Sequence, residues 1–298
     1  MRTGESNMSE DWAFRCRANA KLNLTLECRG TRDDGYHLLD MIMCSVDLHD
    51  TVKFRKSSGG FRMSVSGRRN VPIDDRNLIF KALAAVSEEM GTNLAGLEVH
   101  LVKRIPSRAG MGGGSADAAA AIIAANEIFG LRLSADKMLK IGARVGADVP
   151  FCLTGGTAKV TGIGEIIEPC SPVPQCGIVV MMPEKGNSTP QMFKELDRAG
   201  TTHEGNTDAL AEAVAKGDIR TAAAYVYNDF APFSYRAGEM TETLMSAGAL
   251  GASVTGSGAA VFGIFETFEK ADTFVKEKGL PGVKAYACRP APAGIERY

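Results

Sequence analysis

The sequence predicts an α+β protein folded as two units, residues 1–165 and 166–298. Three observations predict it. The 298 residues exceed the ~150 typical of one domain. The first half interleaves short strand patterns with helical ones. Past about Gly164 the composition turns proline-rich, EPCSPVPQCG (Glu168 to Gly177), before a second set of elements that closes as strand, helix and strand.

Taken in order, FRCRANAKLNLTLE (Phe14 to Glu27) alternates in residue type as a strand does, and Arg32, Asp33, Asp34 and Gly35 supply a turn into a hairpin. LLDMIMCSVDL, TVKFRK and FRMSVSG read as three further short strands. NLIFKALAAVSEEM (Asn77 to Met90) places apolar residues at helical spacing and ends at Gly91. LEVHLVKRI (Leu97 to Ile105) is a strand that leads into IPSRAGMGGGSADAAA. There Ser115 is expected to cap a helix, because the residues from Ala118 to Ala125 have high summed helix propensity and Gly130 is placed to stop them. Ser134 to Gly146 reads as another capped helix, followed by a loop, GADVPFCLTGG. In the second unit GIVVMMP and AAVFGIF are apolar strands, ETFEKADTFVKEKG is a helix and VKAYAC is a closing strand.

Composition narrows the function. Hydrophobic residues make up 45% and the net charge is −1. That supplies a core but no global field for nucleic acid or an acidic membrane, so neither is expected as a partner. The cysteines number 7 and form no C-x-x-C pair, which argues against a disulfide framework or a zinc site and for reduced thiols in a cytoplasmic protein. The N-terminal MRTGESNMSEDW lacks the apolar stretch of a signal peptide, and no segment reaches the ~18 apolar residues of a membrane span.

The densest signal is the loop itself. Gly110, Gly112, Gly113 and Gly114 stand directly before Ser115 and the alanine run. Glycine reaches positive φ and admits another group close to the backbone. A glycine loop that feeds a helix N-terminus collects free N–H groups and the positive end of the helix dipole, which is an anion site and most often one for phosphate. It is not a P-loop, since no lysine follows the last glycine, and not a dinucleotide fingerprint, since Ser115 occupies the sixth position from Gly110. A tight turn that merely packs strand against helix is the plain alternative.

Lys21 in ANAKLNL and Asp148 in GADVPF are each unremarkable alone: a strand lysine is ordinarily a solvated edge residue, and an aspartate beside glycine and proline an ordinary turn residue. Their order along the chain changes that. ANAKLNL, DDGYH, the glycine loop, GADVPF and GSGAAVF together resemble the GHMP kinases, the family of galactokinase, homoserine kinase, mevalonate kinase and phosphomevalonate kinase. IPSRAGMGGGSADAAAA is similar to the family's P-x-x-x-G-L-G-S/G-S-[SA] phosphate loop, with Met111 where leucine is usual. GSGAAVFGIF (Gly256 to Phe265) is similar to its glycine-rich C-terminal motif. The resemblance runs from about Ala18 to Phe265, with two departures: Arg108 replaces the small residue common in this loop, and Ala116 stands where a second serine is frequent.

That resemblance implies a fold and a chemistry. The first domain is expected to be of the ribosomal S5 domain 2-like type and the second ferredoxin-like. ATP and Mg²⁺ are the implied cofactors, with Pro106, Gly110, Met111, Gly112, Gly113, Gly114 and Ser115 around the nucleotide and Ser115 as a candidate metal contact through Mg-ATP. Asp148 would be the general base for an acceptor alcohol and Lys21 the counter-charge to both. Within the family, AKLNL with DDGYH and GADVPF implies phosphorylation of the 2-hydroxyl of 4-diphosphocytidyl-2-C-methyl-D-erythritol, in the non-mevalonate route to isoprenoid precursors. Asn23, Tyr36, His37, Thr189 and Phe193 would bind this small molecule, Phe193 facing Tyr36 to sandwich the cytosine and His37 hydrogen-bonding its edge. Other readings remain. A homoserine or mevalonate kinase would keep the loop but needs no aromatic clamp, and a non-catalytic nucleotide binder of the same fold would be expected to have lost the Lys21/Asp148 pair.

Overall fold

The computed structural model describes residues 12–67, 71–92, 94, 96–200, 205–277 and 279–298; the N-terminal stretch read above, Trp12 excepted, lies outside them. Its elements run β1 (Phe14–Thr31), β2 (His37–Lys56), β3 (Arg62–Gly67), α1 (Leu78–Met90), β4 (Leu97–Lys103), α2 (Gly113–Phe129), α3 (Ala135–Val145), α4 (Val149–Thr154), β5 (Thr157–Gly162) and β6 (Ile166–Pro169). Then follow β7 (Gly177–Pro183), α5 (Thr189–Ala199), α6 (Thr207–Ala215), α7 (Ile219–Ala224), β8 (Tyr227–Asn228), a 3₁₀ turn (Ala231–Phe233), α8 (Ala237–Ser246), β9 (Gly251–Val254), β10 (Val261–Phe265), α9 (Phe268–Glu277), β11 (Val283–Cys288) and β12 (Ile295–Arg297).

The α+β expectation holds. The first sheet runs in the order β12-β1-β2-β4-β3, with β5 on the other half of β2, β6 on β5, and β8 parallel to β1. Three strands from beyond Glu165 therefore pair within it: β6, β8 and β12. Where the sequence suggests two strands, LLDMIMCSVDL and TVKFRK, there is one, β2. Register jumps from the pair Asn19↔His49 to the pair Ala20↔Val46, so an irregularity at Asp47 and Leu48 absorbs the break without ending the ladder.

The same irregularity aims the site. Ahead of it Phe14, Cys16 and Ala18 pack with α1 to α4. Past it Ala20, Leu22 and Leu24 pack with the second unit. A bulge re-aims side chains in this way, and here it leaves Lys21 and Asn23 between two register shifts, at Asn19/Ala20 and Asn23/Thr25.

Helix α2 crosses that sheet with Ala116, Ala118, Ala119, Ala120, Ala121, Ala124 and Ala125 all buried. A helix enclosed on all sides needs short side chains wherever backbones approach, so the alanine run serves packing as well as propensity.

The second sheet has the order β11-β7-β10-β9 with every neighbouring pair antiparallel. Its strands and helices β7, α8, β9, β10, α9 and β11 make a ferredoxin-like unit, with α5 to α7 inserted after β7. Period-two alternation explains why GIVVMMP is apolar throughout. Ile178 and Val180 pack toward the first unit, whereas Val179 and Met181 pack toward α8 and α9. On β10, Phe262 and Ile264 divide in the same way from Val261 and Phe265.

Candidate active site

The glycine loop and the start of α2 form the floor of a cleft of about 960 Å³. Ser115 is not the cap expected from sequence. The helix begins two residues earlier, at Gly113, with Gly112 in the cap position at φ 65°. A left-handed cap suits glycine best, so the backbone outvotes the serine's capping preference. Ser115 becomes the third helical residue, and it lines the cleft. The first N–H groups of a helix have no intrahelical acceptor, and those of Gly113, Gly114 and Ser115 precede the first intrahelical bond, from Ala116 to Gly112.

Each glycine has its own reason. A Cβ on Gly110 would lie 2.1 Å from the Thr255 carbonyl oxygen, and one on Gly112 would lie 2.9 Å from Lys21 Cγ. The first close approach locks the loop against the second glycine-rich turn; the second seats the lysine. Gly113 is different. It has no positive φ, and its added Cβ would strike Ile105 Cγ2 at 2.9 Å, so its requirement is packing beneath the loop. Met111 is buried with Ile105 and Ala109 and reaches the site only through its carbonyl, which accepts the Lys21 N–H at 3.0 Å. Pro106 lines a neighbouring cavity of about 1350 Å³ on the far side of the loop, with Arg104, Ser107 and Tyr286.

Lys21, 3% exposed, places its Nζ 3.6 Å from Asp148 Oδ2 and donates to Asn23 Oδ1 at 2.5 Å. Asn23 Oδ1 also accepts the Gly256 N–H at 3.0 Å, and its own N–H donates to Thr255 Oγ1 at 3.0 Å. Asn23, expected to contact substrate, thus ties the lysine to the second unit's glycine turn while lining the cleft. Asp148 sits in the N-cap position of α4, a helix that the sequence presents as a loop. Its side chain makes no capping bond and is 37% exposed, so the carboxylate is open to an acceptor. Ala116 is fully buried among core residues, so a serine there would add no hydroxyl to the cleft.

Beneath the loop lies a charged cluster that sequence reasoning missed. Lys103 bridges Asp50 and Asp117, the latter at 2.6 Å. Asp50 Oδ1 accepts the N–H groups of Arg104 at 2.6 Å and Ile105 at 2.9 Å, which fixes the strand-to-loop turn. Burial opposes the charge on Lys103, but the Asp117 and Asp50 carboxylates outweigh it and raise its pKa. Burial pushes Asp117 up to about 8, with Lys103 opposing and Asp50 adding to the rise. The other oxygen, Asp117 Oδ1, is buried without a hydrogen-bond partner, which adds to the cost of charging this carboxyl.

Between an ordinary unfolded value of 3.8 and about 8 the folded chain holds a proton that the unfolded chain has lost, so this group's contribution to stability falls as pH rises through that window. Asp117→Asn removes the titration. Its Tm relative to the native chain is expected to climb steadily between pH 5 and 8 in thermal melts; a constant difference would contradict this.

The far end of the cleft is aromatic. Tyr36, His37, Thr189 and Phe193 all line it, but the expected sandwich of Tyr36 and Phe193 is not formed. Phe193 stacks on His37 at 4.6 Å between centroids and meets Phe230 edge-on at 4.9 Å. Tyr36 is 60% exposed. The apolar faces of Phe193 and His37 close on each other, and His37 Nε2 lies 2.6 Å from Asp197 Oδ1. Thr189 Oγ1 is 2.7 Å from Ser257 Oγ. Asn187, which no motif marks, donates to Ser234 Oγ at 3.0 Å and to the Ser257 carbonyl at 3.1 Å, bracing the glycine turn. Asp197 was legible only as the residue one helical turn past Phe193.

A loop of phosphate-binding type, a lysine–aspartate pair and a ferredoxin-like partner unit meet in one cleft, and comparison with known proteins agrees. The family profile for the GHMP kinases N terminal domain matches residues 77–156, and that for the GHMP kinases C terminal region matches residues 210–277. The chain belongs to the GHMP kinases. A protein of Pelotomaculum thermopropionicum named 4-diphosphocytidyl-2-C-methyl-D-erythritol kinase is 39% identical over 259 residues, 85% of this chain and 90% of that one. One of the same name from Thermoanaerobacter sp. is 37% identical over 292 residues, 96% of this chain and 99% of that one. The crystal structure of a 4-(cytidine 5'-diphospho)-2C-methyl-D-erythritol kinase superposes with a TM-score of 0.78 at 28% identity, covering 93% of this chain and 99% of that one. A homoserine kinase from Cytophaga hutchinsonii shares the fold, with a TM-score of 0.76 at 19% identity over 96% of this chain and 97% of that one.

Proposed function

We propose that the chain transfers the γ-phosphoryl group of ATP to the 2-hydroxyl of 4-diphosphocytidyl-2-C-methyl-D-erythritol, in the cytoplasm. The observation that carries this is the single cleft that holds Lys21 and Asp148 at one end and an aromatic pocket at the other, with the start of α2 beside the pair. The relatives' shared name supports the acceptor.

Phosphoryl transfer is chiefly a matter of positioning and charge. The N–H groups opening α2 hold the β- and γ-phosphates, and the nucleoside extends into the second cavity past Pro106. The N–H groups of Gly113, Gly114 and Ser115, which precede the first intrahelical bond of α2, are donors that fit such a group. Mg²⁺ would be held by the phosphates of the nucleotide and by Ser115, whose side chain is at the start of α2 in the cleft. Mg²⁺ bound there would neutralise charge on the transferred group. Asp148 takes the hydroxyl proton as the new O–P bond forms and the bond to the β–γ bridging oxygen breaks. Lys21, pinned by Asn23, faces both the carboxylate and the alkoxide that develops.

At the pocket end, cytosine displaces the Phe193–His37 stack and lies between Phe193 and Tyr36. Stacking is worth ~1–3 kcal/mol per base and is indifferent to base identity, so selectivity rests with polar groups such as His37. Phe193→Ala is expected to raise KM for the cytidine-linked acceptor by roughly tenfold, whereas His37→Ala should also relax discrimination against the uridine-linked analogue. An ADP-release assay over a panel of acceptors tests the reading. The cytidine-linked alcohol should be turned over far faster than methylerythritol phosphate, homoserine or mevalonate. Equal rates across the panel would remove the cytosine pocket and the acceptor together.

A further inference from the structure

Arg108 is the residue of the glycine loop that the mechanism above leaves unused. It departs from the small residue that the resembled motif carries, and it adopts φ 56°, a left-handed conformation that disfavours side chains other than glycine. Its backbone is clamped between the two units: a Cβ built on Gly186 would lie 2.8 Å from the Arg108 carbonyl oxygen and 2.9 Å from its Cβ. Among the described residues it alone lines both the catalytic cleft and the neighbouring cavity. No hydrogen bond or ion pair engages its guanidinium among those residues.

A loop without the P-loop lysine still needs positive charge at the transferring group. The permanently charged cations lining the cleft, among the described residues, are Lys21 and Arg108. Lys21 is engaged by Asn23 and Asp148. Lys103, beneath the loop, is consumed by two carboxylates. Arg108 lies at the border between the two cavities, which on the reading above is where the phosphoryl group passes from nucleotide to acceptor.

We propose that Arg108 is a catalytic residue, an arginine supplied within the chain whose guanidinium donates hydrogen bonds to the oxygens of the transferring γ-phosphoryl group and to the β–γ bridging oxygen as that bond breaks. It exchanges no proton or electron pair. The hydroxyl proton still goes to Asp148, and ADP leaves with the bridging oxygen. The inference rests on the phosphotransfer reading above, not on the identity of the acceptor. A planar fork that donates to two oxygens at once suits this task better than an ammonium.

The informative variant is Arg108→Gly, because glycine relieves φ 56° and removes only the side chain. Its Tm should equal or exceed the native value. Its kcat should fall about 10²-fold, as loss of one donor to a transition state does, with KM for ATP and for the cytidine-linked alcohol within about threefold. Guanidinium ion added to the solution should recover part of the rate in Arg108→Gly and none in the native chain. Turnover within about threefold of native, or a loss carried by the acceptor's KM with kcat kept, would overturn the proposal. Binding of ADP in the presence of aluminium fluoride decides it independently of the acceptor. The native chain should hold ADP at least tenfold tighter with fluoride present, and Arg108→Gly should lose that gain; an equal gain in both would also overturn it. Failure of the native chain to phosphorylate the cytidine-linked alcohol would instead defeat the acceptor assignment and leave the fluoride comparison to decide on Arg108.

Discussion

Asp148→Asn is expected to lower kcat by about 10²-fold or more while the fold and ATP affinity stay intact. The substitution keeps the shape of the side chain and removes its capacity to take a proton. It disturbs little else. Asp148 makes no capping hydrogen bond to α4, and Lys21 remains held by Asn23. Steady-state turnover alongside a thermal melt reads both quantities. Near-native turnover would show that the proton leaves by another route. A large fall in Tm would show instead that the carboxylate serves structure.

Lys103→Met should destabilise the first unit by about 3–5 kcal/mol, the usual result of removing one partner of a buried charge cluster. The side chain lost is 6% exposed. What remains is Asp50 and Asp117, both buried, with no cation between them. Since Asp50 also holds the N–H groups of Arg104 and Ile105, the entrance to the glycine loop should loosen with it. Adding Asp117→Asn to Lys103→Met should recover part of the loss, because one of the two stranded carboxylates is gone and neighbouring sites do not act additively. Denaturant titrations of the single and double variants check both statements. A double variant less stable than Lys103→Met would contradict them.

The sequence revealed most where local chemistry and tertiary demand agree. The alanine helix, the glycine loop, GIVVMMP and the closing strand–helix–strand all fall there. It misled where the two compete. Ser115 looks like a cap because serine is a good one, yet Gly112 takes the position, since a left-handed backbone brings the loop over Lys21. GADVPFCLTGG looks like a loop because of its glycines and proline, although Pro150 falls in the first turn of α4, where its missing N–H is harmless. β2 looks like two strands because His49 and Asp50 interrupt its apolar run; a register shift carries the chain through.

The site divides along the same line. Lys21, Asp148 and the glycines are brought together as the motif order implies, whereas long-range partners left no mark in the sequence. Asp50, Lys103 and Asp117 lie on β2, β4 and α2 and meet only in the fold. Asn187 and Asp197 acquire meaning only once the second unit is placed over the cleft. Arg108 was visible as a departure from the resembled motif, and its position between two cavities supplies a reason for it.

The central claim is that this cleft moves a phosphoryl group onto one particular hydroxyl. ³¹P NMR of the product formed from ATP and the cytidine-linked alcohol tests it most directly, because the 2-carbon bears a methyl group and no hydrogen. The expected product is a single new phosphomonoester without three-bond coupling to a carbon-bound proton, formed in step with ADP. A coupled phosphomonoester, which places the group on another hydroxyl, or ADP released without a new ester, would contradict it.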